Sequence, residues 1–145
     1  MTLVLIDLQP CFDASNLKRI RTTVQREIRL AKSRQQPIIL VEFDNGYEYF
    51  PTHSWLLESI QHYEHFHHIT KKTDNGSAAV IDCIVKNEYS MPVRICGVNW
   101  EACVFETVIG LAKHGKIEVI KKGCGSWRHR YNWHLFDDCK NVEVI

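Results

Sequence analysis

Short apolar runs alternate with longer amphipathic segments along most of the chain. Residues 2–6, 37–43 and 93–96 are rich in Leu, Val and Ile, and they have the length of strands that are buried on both faces. Between the first two runs, residues 15–33 carry apolar side chains near helical spacing, and Pro37 prevents the helix from continuing. This alternation predicts an α/β protein.

The rest of the chain continues the alternation of strand-like and helix-like segments, with less distinct boundaries. The turn residues Asp74, Asn75 and Gly76 separate a strand from a helix, and Gly115 ends a later helix. The remaining predicted elements are helix 54–63, strand 67–71, helix 77–87, helix 100–113, strand 117–120, an irregular or partly helical segment 123–138, and a terminal strand 142–145.

The order of the elements predicts how the sheet is built. Strands that alternate with helices form a mainly parallel sheet of five or six strands, covered on both faces through right-handed crossovers. We expect one domain over residues 1–145, because no repeat or linker divides the chain. With the strand order 3-2-1-4-5-6, which the pattern alone does not fix, ligands bind where strands 1 and 4 end.

Composition and charge narrow the class of partner. The 18 basic and 17 acidic residues nearly cancel, so no overall field attracts nucleic acid or an anionic membrane, and a small-molecule substrate becomes the default expectation. We expect a cytoplasmic protein, because the sequence shows neither a membrane-spanning run nor a signal peptide. The six cysteines are scattered without a C-x-x-C pair, which is typical of reduced thiols.

Cys103 is the strongest candidate for a catalytic nucleophile. Asn99 is suited to cap the helix that follows strand 4, and Cys103 then lies at the end of its first turn. At that place free backbone N–H groups and the helix dipole favour a thiolate and can hold an oxyanion. An alternative interpretation is that Cys103 is simply a small buried residue, as free cysteines often are.

Two charged residues are expected near the same edge of the sheet. Asp7 ends an apolar strand, and a buried carboxylate there is suited to act as general base; the alternative is a cap for the turn at Pro10. Lys72 follows strand 3 and is suited to hold Asp7 and the thiolate ionised. Two alternatives stay open: Lys72 is a solvated lysine, or its neighbour Lys71 takes this role.

The motifs around these residues resemble those of isochorismatase-like (nicotinamidase-like) hydrolases. The opening Val-Leu-Ile-Asp-Leu-Gln-Pro-Cys-Phe at residues 4–12 is similar to their strand 1 motif, which ends in an aspartate. Gly-Val-Asn-Trp-Glu-Ala-Cys-Val at 97–104 resembles their glycine-valine, four residues, cysteine-valine signature. Lys-Thr-Asp-Asn-Gly-Ser at 72–77 is similar to their lysine loop. Together with the element order, the motifs span almost the whole chain.

The resemblance implies a three-layer, Rossmann-like fold and an Asp-Lys-Cys triad of Asp7, Lys72 and Cys103. It implies a cis peptide between Val98 and Asn99, which turns the Asn99 N–H toward an oxyanion hole shared with the N–H of Cys103. Family members that hydrolyse isochorismate lack the nucleophilic cysteine, so Cys103 indicates the amide-hydrolysing branch. No cofactor is implied. We expect the rings of Phe12, Tyr47 and Trp100, beside these motifs, to line the pocket.

Two features leave other interpretations open. The aspartate-x-histidine metal motif of nicotinamidases has no counterpart in Phe-Asp-Asn-Gly at residues 43–46, and we assign no metal site. The histidines at positions 62, 65, 67 and 68 invite a metal interpretation, but His67 and His68 point to opposite faces of a strand. The missing metal motif and the unusual Asn99-Trp100 pair motivate the alternative function: a catalytically inactive binding module of the same fold.

The remaining expectations concern surfaces. Aromatic residues at positions 47, 49, 50, 127 and 133 exceed what a lone monomer of this size usually exposes, so we expect a homodimer or a higher homo-oligomer. Arg128 and Arg130 follow strand 5 on the presumed active edge, and either arginine is suited to clamp an anionic substrate. A polar surface turn or an oligomer interface accounts equally well for that segment.

Overall fold

The apolar runs of the sequence form strands, and the amphipathic segments between them form helices. A computed structural model describes residues 1–127 and 131–145. The strands are β1 Thr2–Ile6, β2 Ile38–Phe43, β3 Phe66–Lys71, β4 Val93–Val98, β5 Ile117–Gly125 and β6 Val142–Val144; the helices are α1 Lys18–Ser33, α2 Ser54–Ile60, α3 Ser77–Lys86 and α4 Phe105–Leu111.

The six strands form one sheet in the order β3-β2-β1-β4-β5-β6, and every pair is parallel. The strand order expected for the chain is therefore confirmed. Ile6, at the end of β1, pairs with Val41 of β2 and with Gly97 of β4. The carboxyl ends of the central strands consequently meet at one edge of the sheet.

Helices cover both faces of the sheet, because successive side chains of a strand point in opposite directions. Val4 and Ile6 of β1 belong to the apolar cluster that packs against α3 and α4. Leu3 and Leu5 belong to a second cluster, on the face covered by α1 and α2. All four side chains are at most 2% exposed, so the architecture has three layers around a buried parallel sheet.

The structure differs from the sequence predictions mainly where the central strands end. β4 continues to Val98, and β5 continues to Gly125, five residues beyond the predicted end. After an irregular register, Gly97 pairs with Cys124, and Val98 pairs with Gly125. The exposed pair at residues 121–122 interrupts the apolar run of β5, which is why the hydrophobic pattern underestimates its length.

The aromatic residues that motivated the self-association prediction differ in exposure. Tyr47 is 94% exposed, and Tyr49, Phe50 and Trp127 are about half exposed. Trp133 was expected at the surface, but its ring packs edge-on against Trp100 with ring centroids 4.6 Å apart. Self-association stays a prediction. No helix within residues 1–127 or 131–145 is long and apolar enough to cross a membrane.

The layered core predicts a contrast between two matched valine substitutions. Val4 is fully buried in the central strand, whereas Val85 on α3 is 71% exposed. Removing two methyl groups at Val4 leaves a cavity, so we expect Val4→Ala to lower the free energy of unfolding by about 2 to 3 kcal/mol. Val85→Ala should leave it within about 0.5 kcal/mol of the unsubstituted chain. Urea denaturation followed by circular dichroism measures both values, and equal losses would contradict this packing.

Candidate active site

Asp7 is the first residue after β1, and its backbone turns its side chain into the protein. Its φ is +51°, in the left-handed region, which aspartate tolerates better than most residues. Its N–H donates to the carbonyl of Val41 at 2.9 Å, and its carbonyl accepts from the N–H of Gln9. The carboxylate is fully buried. The structure therefore holds a charged group inside the carboxyl edge of the sheet.

The charge of Asp7 is compensated by Lys71, the last residue of β3. The Nζ of Lys71 lies 2.8 Å from Oδ2 of Asp7, and both side chains are at most 3% exposed. The ammonium also donates to the carbonyl of Thr73 at 3.0 Å and lies 4.9 Å from the ring centre of Phe43. A buried carboxylate and a buried ammonium are tolerated because each is paired with the other.

The lysine that pairs with Asp7 is Lys71, the alternative, and not the expected Lys72. Lys72, the expected member of the site, is exposed, whereas Lys71 is 5% exposed and contacts Asp7. Neighbouring residues of a strand face opposite directions, so only one of two adjacent lysines can enter the cleft. Strand β3 ends at Lys71, as predicted. The lysine of the site is this last strand residue and not Lys72, which follows it.

Cys103 lies in a π-helical turn, Trp100–Val104, that leads from β4 into α4. The carbonyl of Asn99 accepts from the N–H groups of Ala102 and Val104, and the Val98–Asn99 peptide is cis, as the family resemblance implied. The expected side-chain cap is wrong, because Asn99 makes no cap hydrogen bond and its buried Oδ1 has no partner among the described residues. π-helical turns occur frequently at functional sites.

The thiol of Cys103 interacts with three charged groups. Its Sγ donates to Oδ1 of Asp74 at 3.5 Å, and it lies near enough to Asp7 and Lys71 for both to influence its titration. Burial and the negative charge of Asp7 raise the pKa of Cys103, and Lys71 lowers it by less. Burial and Asp7 thus oppose the effect expected from the helix dipole, and the pKa of Cys103 lies above the ordinary value of a thiol.

Asp7 also lies within hydrogen-bond reach of the Cys103 thiol. Burial raises its pKa above 3.8, whereas Lys71 and the thiol of Cys103 lower it. Oδ2 of Asp7 faces the ammonium of Lys71, whereas Oδ1 has no hydrogen-bond partner within the described residues and retains capacity for a proton or a substrate donor. The structure thus places Asp7 and Cys103 near each other, with Lys71 beside them and Lys72 exposed.

A cavity of about 240 Å³ lies beside Asn99. It is lined by Cys11, Phe12, Asp13, Asn99 and Trp127. Of the three aromatic residues expected in the pocket, Phe12 lies there. Trp100 is fully buried in the core, where its Nε1 donates to the carbonyl of Asn132, and Tyr47 extends into solvent. Both of those expectations are wrong.

Gln9 is a site-supporting residue that the sequence analysis missed. Its Nε2 donates to the carbonyls of Phe43 and Phe50, and its Oε1 accepts from the N–H of Phe43. The amide thereby fastens the loop after β2 to the segment that carries Asp7. The sequence signal for Gln9 is a polar residue shortly after the apolar run of strand 1. In the fold only 1% of its surface is exposed, so each of its polar atoms needs a hydrogen-bond partner.

The histidines after α2 serve other contacts. Nε2 of His67 lies 2.6 Å from the hydroxyl of Tyr89, and Nε2 of His68 lies 3.0 Å from the buried carboxylate of Glu42. Within residues 1–127 and 131–145 no group of three or more histidine, cysteine or carboxylate side chains could hold a metal ion. Arg128 and Arg130, considered as anion clamps, lie outside the residues that the structure describes.

Known structures share this architecture at low sequence identity. A nicotinamidase from Staphylococcus aureus matches at 21% identity with a TM-score of 0.82, over 99% of this chain and 97% of that chain. The MAR1 ribonuclease from Caenorhabditis elegans matches at 19% identity with a TM-score of 0.83, over 99% and 75%. An isochorismatase family protein matches at 19% identity with a TM-score of 0.74, over 99% and 96%.

These likenesses show the fold: the chain has the isochorismatase-like α/β fold that its motifs implied. No protein-family model matches the sequence, and no curated protein does.

The charges around Cys103 predict an inverse effect of removing Asp7. In Asp7→Asn the negative charge beside the sulfur is lost while Lys71 remains, so the pKa of Cys103 should fall and its thiolate should become more abundant. We expect iodoacetamide to alkylate Cys103 at pH 8 about tenfold faster in Asp7→Asn. Peptide mass spectrometry measures the rate, with the partly exposed Cys139 as internal reference. A slower or unchanged rate would show that Asp7 does not act on the sulfur.

Proposed function

We propose that this chain is a cysteine hydrolase that cleaves an amide-type C–N bond of a small molecule, with Cys103 as nucleophile. The observation that carries the proposal is the buried meeting of Asp7, Lys71 and Cys103 at the carboxyl edge of the sheet. A carboxylate and an ammonium buried beside a thiol cost stability that apolar side chains would not. The nicotinamidases and isochorismatase-family proteins that share the fold support the same reaction class.

In the first half of the reaction, Cys103 passes its proton to the carboxylate of Asp7 while its sulfur attacks the substrate carbonyl carbon. The tetrahedral intermediate then collapses, the C–N bond breaks, and Asp7 returns the proton to the leaving amine. In the second half, water attacks the thioester with Asp7 as base, and the acid and the free thiol form. Lys71 supports each step by keeping the Asp7 carboxylate ionised when Cys103 begins its attack.

The backbone at Asn99 and Cys103 is proposed to hold the oxyanion. The N–H of Asn99 makes none of the turn, loop or cap hydrogen bonds found between backbone groups of the described residues. It belongs to the cis peptide between Val98 and Asn99, at the start of the turn that carries Cys103. Free N–H donors fixed beside a nucleophile stabilise the negative oxygen of a tetrahedral intermediate, and removing one such donor typically costs about 10²-fold in rate.

The two adjacent lysines provide a matched test of the triad. Lys71→Met removes the partner of Asp7, whereas Lys72→Met removes a charge that is exposed to solvent. We expect Lys71→Met and Cys103→Ala to lower kcat/KM by about 10²-fold or more on the best amide substrate, and Lys72→Met to change it less than about twofold. The substrate comes from a screen of primary amides, ureides and nicotinamide, with ammonia release as the readout.

As a control, circular dichroism spectra of Lys71→Met and Lys72→Met check that each variant is folded. Equal losses in Lys71→Met and Lys72→Met would contradict the assignment of Lys71.

The state of Asp7 predicts the acidic limb of the pH profile. As the pH falls, Asp7 takes up a proton and can no longer accept one from Cys103, so turnover decreases. Because burial raises the pKa of Asp7, the midpoint of that limb in kcat/KM should lie above 3.8. The exposed Asp82 on α3 serves as control, and Asp82→Asn should leave the midpoint in place. A midpoint at or below 3.8 in a folded protein would exclude Asp7 as the base.

The second candidate function is a binding module that keeps the fold without turnover. The observation that favours it is the raised pKa of the buried Cys103, because a protonated thiol is a poor nucleophile until a base removes its proton. Turnover that disappears in Cys103→Ala rules this candidate out. Saturable binding of amides without ammonia release, in the unsubstituted chain, would support it instead.

A further inference from the structure

Asp74 places a second carboxylate against the candidate nucleophile. It belongs to the loop between β3 and α3, and its Oδ1 accepts from Sγ of Cys103 at 3.5 Å. The residue is exposed, so one side of the carboxylate faces the sulfur and the other faces solvent. No lysine, arginine or histidine in the described part of the chain lies within ion-pair distance of it.

The loop that carries Asp74 is fixed by contacts on both sides. Oγ1 of Thr107 on α4 accepts from the N–H of Gly76 at 2.9 Å and donates to the carbonyl of Asp74 at 3.5 Å. Lys71 donates to the carbonyl of Thr73. Oδ1 of Asn75 accepts from the N–H of Ser77 at the start of α3. The position of Asp74 is therefore set by the same residues that build the site.

Close packing beneath the loop limits how far it can move. A Cβ added to Gly76 would lie 3.1 Å from Cδ of Lys71 and 3.2 Å from Cγ1 of Val41. Both distances are tighter than ordinary van der Waals contact, so a side chain at this position would crowd Lys71 and Val41. The absence of a Cβ at Gly76 thus lets the loop that carries Asp74 lie close to the ion-paired lysine.

The charges nearest the sulfur do not cancel. The positive charge of Lys71 is compensated by Asp7, with which it forms a buried ion pair. The carboxylate of Asp74 is left without a compensating partner in the described residues. Of the three charged groups that the described residues place at the sulfur, two are negative, so a ligand that approaches Cys103 past Asp74 meets a carboxylate, which attracts cations and repels anions over short distances.

We propose that Asp74 is a specificity-determining residue that selects amides carrying a positive charge, such as a protonated amine, near the scissile carbonyl. Carboxylate-bearing amides of the same size are disfavoured. This inference rests on the proposed function for the reaction, and it adds the charge class of the substrate. Asp74 acts by binding the cationic group, and the proton transfer remains with Asp7.

Charged thiol reagents test this selection without requiring turnover. A cationic aminoethyl, a neutral methyl and an anionic sulfonatoethyl methanethiosulfonate all modify a cysteine by the same displacement of sulfinate. Peptide mass spectrometry gives the rate at Cys103 for each reagent, divided by the rate at Cys139 in the same molecules. In the unsubstituted chain we expect the ratio of the Cys103 rate to the Cys139 rate to be about tenfold higher for the cationic reagent than for the anionic one.

Two variants separate the effect of Asp74 from the net charge of the protein. Asp74→Asn should reduce the preference for the cationic reagent to within about twofold of unity. Asp82→Asn removes an equal charge from an exposed position on α3, and it should leave the preference unchanged. The inference is overturned if the unsubstituted chain shows no charge preference at Cys103, or if Asp74→Asn retains it.

The inference and the proposed function fail in different experiments. If charge selection at Cys103 depends on Asp74 but no amide is hydrolysed, the hydrolase proposal is rejected and the inference holds for ligand binding. If amides are hydrolysed, the matched series of ammonium, neutral and carboxylate derivatives should show kcat/KM decreasing in that order. A series that decreases in the reverse order overturns the inference while the hydrolase proposal stands.

Discussion

The buried ion pair between Lys71 and Asp7 is the constraint around which the site is arranged. It joins β3 to β1 across the end of β2, so it holds three strand ends at one edge of the sheet. An unpaired charge at this depth would be strongly unfavourable, and each partner is therefore required by the other. The loop after β3 then rests on the lysine, and Cys103 faces the carboxylate. Because this pair is neutral overall, Asp74 is the carboxylate at the sulfur that has no compensating cation within the described residues.

Much of this arrangement could be predicted from the sequence, because buried parallel strands leave a strong hydrophobic pattern. The six strands and the places of Asp7 and Cys103 follow from apolar runs and from the motifs that continue them. The choice between Lys71 and Lys72 could not be made in this way. It depends on which of two adjacent residues faces inward, and a shift of one residue in the strand end reverses the answer.

Other features depend on three-dimensional contacts that a linear pattern does not contain. Trp100 looks like a pocket residue because it stands beside the cysteine motif, but the π-helical turn directs its ring into the core against Trp133 and Phe136. The pKa of Cys103 is raised because burial and Asp7 together outweigh Lys71, whereas helix position alone suggested a lowered pKa. Gln9 is recognised only when its three backbone partners are known.

The raised pKa of Cys103 has a consequence for its oxidation. Peroxide oxidises thiolates far faster than thiols, so burial and a neighbouring carboxylate, which both raise the pKa of this thiol, also slow its conversion to sulfenic acid. If Cys103 is the nucleophile that we propose, it becomes readily oxidised only when its proton has moved to Asp7. The charge arrangement that slows the resting thiol thus also protects it.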